Sequence, residues 1–310
     1  VREVQVRVGT GTHVNIGLSE LETVTVRAGS SINTIDVSSV ESTTVFTQEQ
    51  IQALPVGRDI TNVALLAPGT VKGDTGFGNL ASFGGASVAE NGYYINGFDV
   101  TNIFNFLSYG ELPFDAIAEQ QIKTGGYGAE YGRSLGGVIS LVTKRGTNEW
   151  KGGVSMYWSP SSLQAHGNNV AQKDPSLLAD GYKYYVYRGD DESSDFSYNV
   201  YAGGPLVQDR LFIFGLIEGR NDKDDIYYDD HSEHRKSDRP TGLVKLDWNI
   251  TDNHKLELTA ISNRTETEYT NYRNPVVNGS PELYTGKHGI LDNNFTMERG
   301  CEIYIGKYTG

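Results

Sequence analysis

In the stretch Phe196-Ser-Tyr-Asn-Val-Tyr-Ala-Gly203, the residues Phe196, Tyr198, Val200 and Ala202 alternate with Ser197, Asn199, Tyr201 and Gly203. A tight turn follows at Pro205-Leu-Val-Gln-Asp-Arg210, and the chain returns through Leu211 to Glu218. Because successive side chains of a strand point to opposite faces of a sheet, this period of two predicts an antiparallel strand pair with two different faces. Further strands with the same character are predicted at Trp150–Trp158, Val244–Trp248, Leu256–Ala260 and Ile303–Tyr308.

The connections between these strands are alternately short and long. Residues 205–210 and 250–253 form short turns, whereas residues 159–194, 221–239 and 265–300 form long connections that are predicted to be loops. Outer-membrane β-barrels have short turns on one side and long extracellular loops on the other. The pattern therefore favours a transmembrane β-barrel over a soluble antiparallel sandwich, which has no reason to segregate its loop lengths.

The composition argues against several other classes of protein. Gly (37 of 310 residues) and Tyr (19) are frequent while Met (2) is scarce, which favours strands and turns over a helical bundle. The net charge of −13 repels phosphate backbones and argues against a nucleic-acid partner. The single cysteine, Cys301, excludes a disulfide framework and cysteine-rich metal sites. The longest apolar run, Leu211–Ile217, is far shorter than the ~18 residues of a membrane-spanning helix.

Residues 43–148 lack the long alternating strands of the later sequence, and their pattern predicts a small α+β domain. Thr47 is the predicted N-cap of a short helix, and Gln50 closes a capping box with it. A second short helix is predicted over residues 58–67, before Pro68-Gly69. Short strands separated by Gly-rich turns follow, and Val138-Ile-Ser-Leu-Val-Thr143 completes the domain.

Four segments of this domain resemble the plug domain of TonB-dependent outer-membrane receptors. They are Gln52-Ala-Leu-Pro-Val-Gly-Arg-Asp-Ile-Thr61, Asn91-Gly-Tyr-Tyr-Ile-Asn-Gly-Phe-Asp-Val-Thr101, Gly126-Tyr-Gly-Ala-Glu-Tyr-Gly-Arg-Ser-Leu-Gly-Gly-Val-Ile-Ser140 and Thr143-Lys-Arg-Gly-Thr-Asn-Glu-Trp150. Gly203-Gly-Pro205 with Asp209-Arg-Leu-Phe212 at the first short turn resembles the Oar-like branch of that family. The family usually has Asp-Gly where this chain has Asn96-Gly97, and both pairs suit such a turn.

The resemblance implies a β-dominated membrane protein in which a small α+β plug domain lies inside a large antiparallel transmembrane β-barrel. Residues 1–20 would be the end of an N-terminal small β domain of the carboxypeptidase-regulatory-like type, and residues 21–42 a tether. Residues 43–148 would be the plug, and residues 149–310 the first part of the barrel with its long extracellular loops. Because plugged barrels have about 22 strands, we expect only about the first six of them in this chain.

The tether contains a segment that resembles a TonB box, formed by Glu22, Thr23, Val24, Thr25 and Val26. Such a box must be an extended segment whose backbone can add as a strand to the edge of a partner's sheet. The resemblance implies TonB as that partner, with energy supplied by the TonB–ExbB–ExbD complex. The alternative is that these residues are an ordinary final strand of the preceding β domain.

Glu130 and Arg133 are candidates for a latch between plug and barrel. A buried ion pair is costly to form and costly to break, which suits a contact that is released when TonB pulls. The alternative is a local structural salt bridge. Ser134 lies in Gly132-Arg-Ser-Leu-Gly136, which superficially resembles a hydrolase nucleophile elbow but has no strand-to-helix context, and no phosphate-binding loop is present. We therefore predict that the protein is not an enzyme.

Clustered carboxylates make one long connection a candidate calcium site. The candidate ligands are Asp222, Asp224, Asp225, Asp229 and Asp230. The alternative is an acidic, solvated surface, and this connection has no Gly where an EF-hand requires one. His231 and His234, next to Glu233, are weaker candidates for a transition-metal site. No other cofactor is predicted.

The predicted function is that of a TonB-dependent receptor in the outer membrane of a Gram-negative bacterium. It would contact lipid, bind an extracellular ligand in its loops, and import that ligand when TonB moves the plug. The resemblance to the Oar-like branch makes a peptide or a protein the candidate ligand. One alternative is a surface or adhesion protein of the same fold that does not transport. Another is a soluble β-sandwich binding protein.

Overall fold

The computed structural model describes residues 41–74, 80–107, 109–278 and 280–310. The TonB-box candidate at residues 22–26 lies outside the described residues. The chain divides into two compact units. The first contains the described residues up to Tyr109 together with Glu119–Val142, and the second contains Gly110–Ala118 together with Thr143–Gly310.

The first unit is built on a five-stranded sheet with the order β1-β6-β7-β4-β5, beside a separate β2–β3 hairpin. The strands are β1 (Ser42–Thr47), β2 (Thr70–Lys72), β3 (Ala81–Phe83), β4 (Gly92–Ile95), β5 (Phe98–Asp99), β6 (Ile117–Gly125) and β7 (Val138–Thr143), with helices α1 (Gln48–Ala53) and α2 (Ile60–Ala64) and short 3₁₀ helices at Val88–Glu90 and Phe114–Ala116. The last residue of β7 and the first two residues of β6 belong to the second unit. β4 and β7 are parallel, so a crossover rather than a hairpin joins them.

Both predicted helices of this region are confirmed. Thr47 caps α1 in a capping box, in which the Thr47 amide donates to the Gln50 side-chain oxygen at 3.0 Å. Asp59 caps α2 by accepting from the Asn62 amide at 2.8 Å. The α2 helix is shorter than the predicted 58–67, because its last turn tightens before Pro68. None of the helices in the described part of the chain has the length and apolar character needed to cross a membrane.

The core of the first unit lies where β4, β7 and the β2–β3 hairpin pack together. Its largest fully buried side chains include Phe83, Ile95, Ile122 and Ile139, each at most 2% exposed. Burial of each such side chain stabilises the fold by roughly 1.5–3 kcal/mol. Gln120 on β6 is also fully buried, and its side-chain amide donates to the Ile60 carbonyl at 2.8 Å, which ties the start of α2 to the sheet.

The second unit is dominated by one eight-stranded antiparallel sheet. Its strands are β8 (Lys151–Ser159), β11 (Glu192–Val207), β12 (Leu211–Tyr227), β13 (His231–Asn249), β14 (Lys255–Ser262), β15 (Thr265–Arg273), β18 (Ile290–Arg299) and β19 (Glu302–Thr309). The remaining short elements are β9 (Val170–Ala171), α3 (Pro175–Ala179), β10 (Tyr184–Val186), β16 (Val276–Val277) and β17 (Ser280–Pro281). β13 is long enough to pair with β14 along its second half and with β15 along its first half. The sheet is open, with β8 at one end and β18 and β19 at the other.

The predicted alternation is confirmed in the part of the sheet formed by β11, β12 and β13. Val200 pairs with Ile217 across the strands, and these two side chains are 49% and 67% exposed. Leu216 and Leu243 pair on the opposite face and are 2% and 1% exposed. Each strand therefore has one face that is apolar but exposed and one face that is buried.

The prediction that residues 221–239 and 265–300 are loops is wrong. β12 and β13 form one continuous hairpin, and only three residues, 228–230, connect them. β15 and β18 occupy much of the second segment and continue the sheet beside β13. The apolar alternation stops near Ile217 because the strands beyond it are polar on both faces. Hydrogen bonds and cross-strand ion pairs hold this extension together.

Candidate functional site

Glu130 and Arg133 are both exposed within the described part of the chain, and no ion pair joins them there. Arg133 has a positive φ of 66°, so the chain bends sharply at this residue. The bend is held from both sides. The Ser134 hydroxyl donates to the Gly137 carbonyl at 3.0 Å, and the Tyr127 hydroxyl donates to the Gly136 carbonyl at 3.0 Å. The segment is thus ordered by its own hydrogen bonds, and the latch role of Glu130 and Arg133 stays a prediction.

Asn148 and Asp209 join two motifs that the sequence treats separately. The Asn148 side-chain amide donates to the Asp209 carboxylate at 2.7 Å, and the Asp209 backbone amide donates to the Asn148 side-chain oxygen at 2.8 Å. Asp209 has a positive φ of 62° at the turn between β11 and β12. The segment after β7 is therefore bonded to this turn, although no sequence periodicity signals the contact.

Glycines bring the same segment into close contact with β11 and β12. A Cβ on Gly146 would lie 2.5 Å from the Ile213 carbonyl oxygen and 2.9 Å from that of Gly204. A Cβ on Gly204 would lie 2.6 Å from Cγ of the Trp150 ring. Residues 146–150 thus pack directly on the backbone of the first hairpin, where a larger residue has no room.

Replacing Asn148 by alanine is expected to weaken this attachment. The change removes both hydrogen bonds with Asp209, and since the site is exposed we expect a loss of about 1 kcal/mol. The measurement is the free energy or midpoint of unfolding of the whole protein in detergent micelles. Glu149→Ala is the control, because Glu149 is 82% exposed and makes only a 4.0 Å contact with Lys151. Equal midpoints for the two variants would contradict the proposed attachment.

The five candidate calcium ligands are divided among three places. Asp222 and Asp224 lie on one face of β12, where each contacts arginine. Asp222 accepts from Arg220 at 2.9 Å and pairs with Arg239 at 3.0 Å, and Asp224 pairs with Arg235 at 2.7 Å. Asp195 on β11 also pairs with Arg220. These two carboxylates are therefore neutralised by arginines, and calcium binding at the predicted set stays a prediction.

Asp225 lies on the opposite face of β12 and contacts two histidines. Its Oδ1 accepts from Nδ1 of His234 at 2.6 Å and from Nε2 of His288 at 2.8 Å. Burial alone would raise the pKa of Asp225, but these hydrogen bonds outweigh it and hold the pKa below its usual range. Sequence reasoning missed His288, which is more than fifty residues away along the chain.

Asp229 and Asp230 form the third place, in the turn between β12 and β13. Asp230 contacts Nδ1 of His231 at 2.5 Å, and the His231 ring stacks on Tyr228 at a centroid distance of 4.3 Å. His231 and His234, which the sequence paired as metal candidates, therefore belong to two different clusters.

A cavity of about 320 Å³ opens beside the ends of β11, β12 and β13. Its charged and titratable lining residues are His166, Arg188, Asp191, Glu192, Asp224, Asp225 and Arg235. These residues come from strand ends and from the connection before β11. The cavity thus presents both signs of charge, and it suits a polar ligand that carries both donors and acceptors.

Hydrogen bonds to the backbone fix the rim of this cavity. The Asn169 side-chain oxygen accepts from the amides of Arg188 and Gly189 at 2.7 and 2.8 Å. The Asp191 carboxylate accepts from the Tyr227 amide at 2.9 Å, which joins the connection to the end of β12. Burial raises the pKa of Asp191, although the Tyr227 hydrogen bond opposes that effect.

A neighbouring tyrosine supports the same rim. The Tyr284 hydroxyl donates to the Asp190 carboxylate at 2.6 Å. Burial and this hydrogen bond raise the pKa of Tyr284 to about 12, so the hydroxyl stays a donor at physiological pH. The hydrogen bond from the neutral Tyr284 hydroxyl to the Asp190 carboxylate therefore joins the two connections that contain these residues.

Comparison with known proteins agrees with the fold and with the motifs. The TonB-dependent receptor plug domain model matches residues 36–138. The TonB-dependent transporter Oar of Myxococcus xanthus is 30% identical over 190 residues, which cover 58% of this chain and 17% of that protein. The probable TonB-dependent siderophore receptor PirA of Acinetobacter baumannii is 27% identical over 165 residues, which cover 46% of this chain and 22% of that protein.

Solved structures show the same fold. The outer membrane transporter YddB of Escherichia coli superposes with a TM-score of 0.52 and 17% identity, over 76% of this chain and 37% of that one. A ferric enterobactin receptor mutant of Pseudomonas aeruginosa, solved with enterobactin, has a TM-score of 0.50 and 16% identity, over 75% of this chain and 38% of that one.

A small α+β plug domain and an open antiparallel sheet of long strands are the two parts that the fold of plugged β-barrels combines. Residues 36–138 carry the plug domain of TonB-dependent receptors, and the chain is homologous to the TonB-dependent transporter Oar. The predicted resemblance and fold class are thus confirmed. The chain spans less than a quarter of the length of either curated relative.

Proposed function

We propose that this chain is part of a receptor that binds an extracellular ligand in its strand extensions and loops and imports it by TonB-driven movement of the plug. The observation that carries this proposal is the plug domain match over residues 36–138, followed in the same chain by the long strands of a barrel sheet. A barrel of about 22 strands without a plug would be an open channel. A plug domain is therefore expected where transport through a wide barrel is controlled.

The cavity beside β11–β13 supports a polar ligand for this receptor. Arg188 can bind a carboxylate, while Asp191 and Glu192 can bind amines or amides. A peptide, or a segment of a protein, offers all of these groups within a short length. We therefore propose a peptide or protein ligand.

The proposed location is the outer membrane of a Gram-negative bacterium, and lipid is a proposed partner of the sheet. The face that carries Val200, Ile217 and Val244 is apolar yet exposed, as expected for a barrel surface that contacts acyl chains. The protein is proposed to be a receptor rather than an enzyme, in keeping with the receptors and transporters that it resembles.

TonB, energised by ExbB–ExbD, is the proposed inner-membrane partner, and residues 22–26 are the proposed contact. A peptide covering residues 18–32 is expected to bind the C-terminal domain of TonB, because an extended segment can add to the edge of its sheet. Binding can be measured by isothermal titration calorimetry or by fluorescence anisotropy. The same peptide with Val24→Pro is expected to bind at least roughly tenfold more weakly, since proline removes a backbone donor from the added strand.

The matched control is the substitution Thr25→Ser, which keeps every backbone donor of the segment. If neither the unaltered peptide nor this variant binds TonB, the alternative is favoured, in which the protein is a surface or adhesion protein of the same fold that does not transport. In the full-length protein, Val24→Pro should stop energised uptake while ligand binding at the cell surface persists.

A further inference from the structure

We propose that Asp225, His234 and His288 form a binding site for a divalent transition-metal ion of the zinc type. The site lies on the polar extension of the second unit and does not depend on the proposed import function. Asp225 is on β12 and His234 is directly opposite on β13, while His288 comes from the connection before β18. Their ligand atoms all lie within 4.8 Å of one another.

The set of donor atoms selects the class of metal. Two imidazole nitrogens and one carboxylate oxygen suit zinc and its neighbours in the first transition row. Calcium takes six to eight oxygen ligands and is a poor match for two nitrogens. Three protein ligands leave the fourth position of a tetrahedral ion to water or to an outside group.

The geometry needs little adjustment to accept such an ion. Ligand atoms about 2.0–2.1 Å from a tetrahedral ion are roughly 3.3 Å from each other. The two histidine nitrogens now lie 2.6 and 2.8 Å from the same Asp225 oxygen, at hydrogen-bond distance. When an ion replaces the hydrogen-bonding protons, the distance from each histidine nitrogen to the Asp225 oxygen therefore has to increase by less than about 1 Å.

The contacts around His288 orient its ring for this role. Ser232, which is 1% exposed, lies with its hydroxyl oxygen 3.0 Å from His288 Nδ1. A hydroxyl can either donate or accept, so it can serve either tautomer of the imidazole. When Nε2 binds a metal, Nδ1 carries the proton and donates to Ser232, and such an outer hydrogen bond fixes the tautomer and the orientation of a ligating histidine.

Aromatic rings hold the same imidazole from its sides. Tyr227 stacks on His288 at a centroid distance of 5.1 Å, and the Tyr272 ring lies at 4.5 Å. The connection that carries His288 is pinned further away, where the Asn274 side-chain amide donates to the Glu282 carbonyl at 2.8 Å. His288 is thus held in place by contacts that do not involve the metal.

The charge balance also favours a cation here. Two neutral imidazoles and one carboxylate contribute a single negative charge, whereas Asp222 and Asp224 on the opposite face are each neutralised by arginine. The chain as a whole carries a net charge of −13, which attracts divalent cations. A bound ion would join β12, β13 and the connection before β18 at one point, and so would fasten that connection to the hairpin.

The test uses the full-length protein in detergent micelles, freed of metal with EDTA and titrated with Zn²⁺ against a chromophoric zinc chelator. The unaltered protein is expected to bind one zinc ion through this site. His288→Gln and His234→Gln should each weaken binding by more than roughly 100-fold, since loss of a mere outer partner already costs about 10–100-fold. Ser232→Ala should weaken it by about 10-fold.

His231→Gln is the matched control, because His231 lies three residues from His234 but contacts Asp230 in the other cluster. A second readout is independent of affinity. Co²⁺ in place of Zn²⁺ should give the visible absorption of a tetrahedral nitrogen–oxygen site, and His288→Gln should abolish it. Zinc should also slow tryptic cleavage after Lys287 in the unaltered protein and leave the rate unchanged in His288→Gln.

Three outcomes would overturn the proposal. The first is that the unaltered protein binds no zinc. The second is that His231→Gln and His288→Gln lower zinc affinity equally, and the third is that millimolar Ca²⁺ displaces the ion. Each variant is first checked for an unchanged midpoint of unfolding without metal, so that a folding defect is not mistaken for a lost ligand.

Discussion

Gly137→Ala is expected to destabilise the core of the plug severely. A Cβ on Gly137 would lie well inside van der Waals contact distance of two ring carbons of Phe83 and 2.8 Å from the Phe83 Cβ. Phe83 is only 2% exposed, so its ring has no free space to enter. Forcing an extra group into a packed core costs about 1–3 kcal/mol, and we expect the upper end because the obstructing atoms include the Phe83 Cβ.

Hydrogen bonds prevent the backbone from relieving this collision. The Gly137 carbonyl accepts from the Gly92 amide at 2.9 Å, and the Gly137 amide donates to the Asn91 side chain at 3.2 Å. A shift of Gly137 away from Phe83 would break both contacts. The added methyl group can therefore be accommodated only if the backbone of both β4 and β7 shifts, and a change of one side-chain rotamer is not enough.

The experiment measures trypsin cleavage after Lys123, whose side chain is 3% exposed in the native structure. Gly137→Ala should increase the rate of this cleavage in the full-length protein by at least roughly tenfold, since 1.4 kcal/mol of lost stability is a factor of ten in the open population. Gly132→Ala is the control, because a Cβ there meets nothing within 4 Å. The double variant Gly137→Ala with Phe83→Leu should recover part of the protection, and equal rates for the two glycine variants would refute the packing argument.

Gly146→Ala is expected to impair assembly of the first barrel hairpin. Its Cβ would lie 2.5 Å from the Ile213 carbonyl oxygen, 3.0 Å from the Ile213 amide nitrogen and 2.9 Å from the Gly204 carbonyl oxygen. Gly204 and Ile213 are paired across β11 and β12, so none of these atoms can move without distorting the ladder. We expect a cost at or above the upper end of the ~1–3 kcal/mol of ordinary overpacking.

The readout is the fraction of full-length protein that folds in detergent micelles, seen as a heat-modifiable, protease-resistant band on a gel. Gly242→Ala on β13 is the matched control, because its added Cβ has nothing within 4 Å. Gly146→Ala should reduce the folded fraction several-fold while Gly242→Ala leaves it unchanged. Normal assembly of both variants would mean that residues 146–150 do not pack on the hairpin as the structure shows.

The strands that have one apolar exposed face and one buried face could be predicted closely from the sequence. In β11 to β14, apolar residues recur at every second position of the segments that have one apolar face. This period correctly places Val200 and its cross-strand partner Ile217 on the same face. The capped helix at Thr47 was equally predictable, because its capping box is a local pattern that needs no tertiary partner.

The strand extensions could not be predicted in the same way. Between Asp222 and Arg239 both faces of the hairpin are polar, so the sequence shows charge without periodicity and resembles a loop. The strands continue because Asp222 and Asp224 are matched by Arg239 and Arg235 across the register. Such matching becomes visible only when the partner strand and its register are known.

The sequence by itself determined the resemblance to TonB-dependent receptors, the two short helices and the two faces of the strands, because local periodicity and contiguous motifs carry that information. Only the tertiary structure decided which distant residues meet. Asn148 reaches Asp209, and His288 joins Asp225 and His234, across separations for which the chain has no local signal. The aspartates of residues 222–230 could be recognised as candidate metal ligands from the sequence. The pairing of the strands decided that arginines neutralise Asp222 and Asp224, whereas histidines contact Asp225.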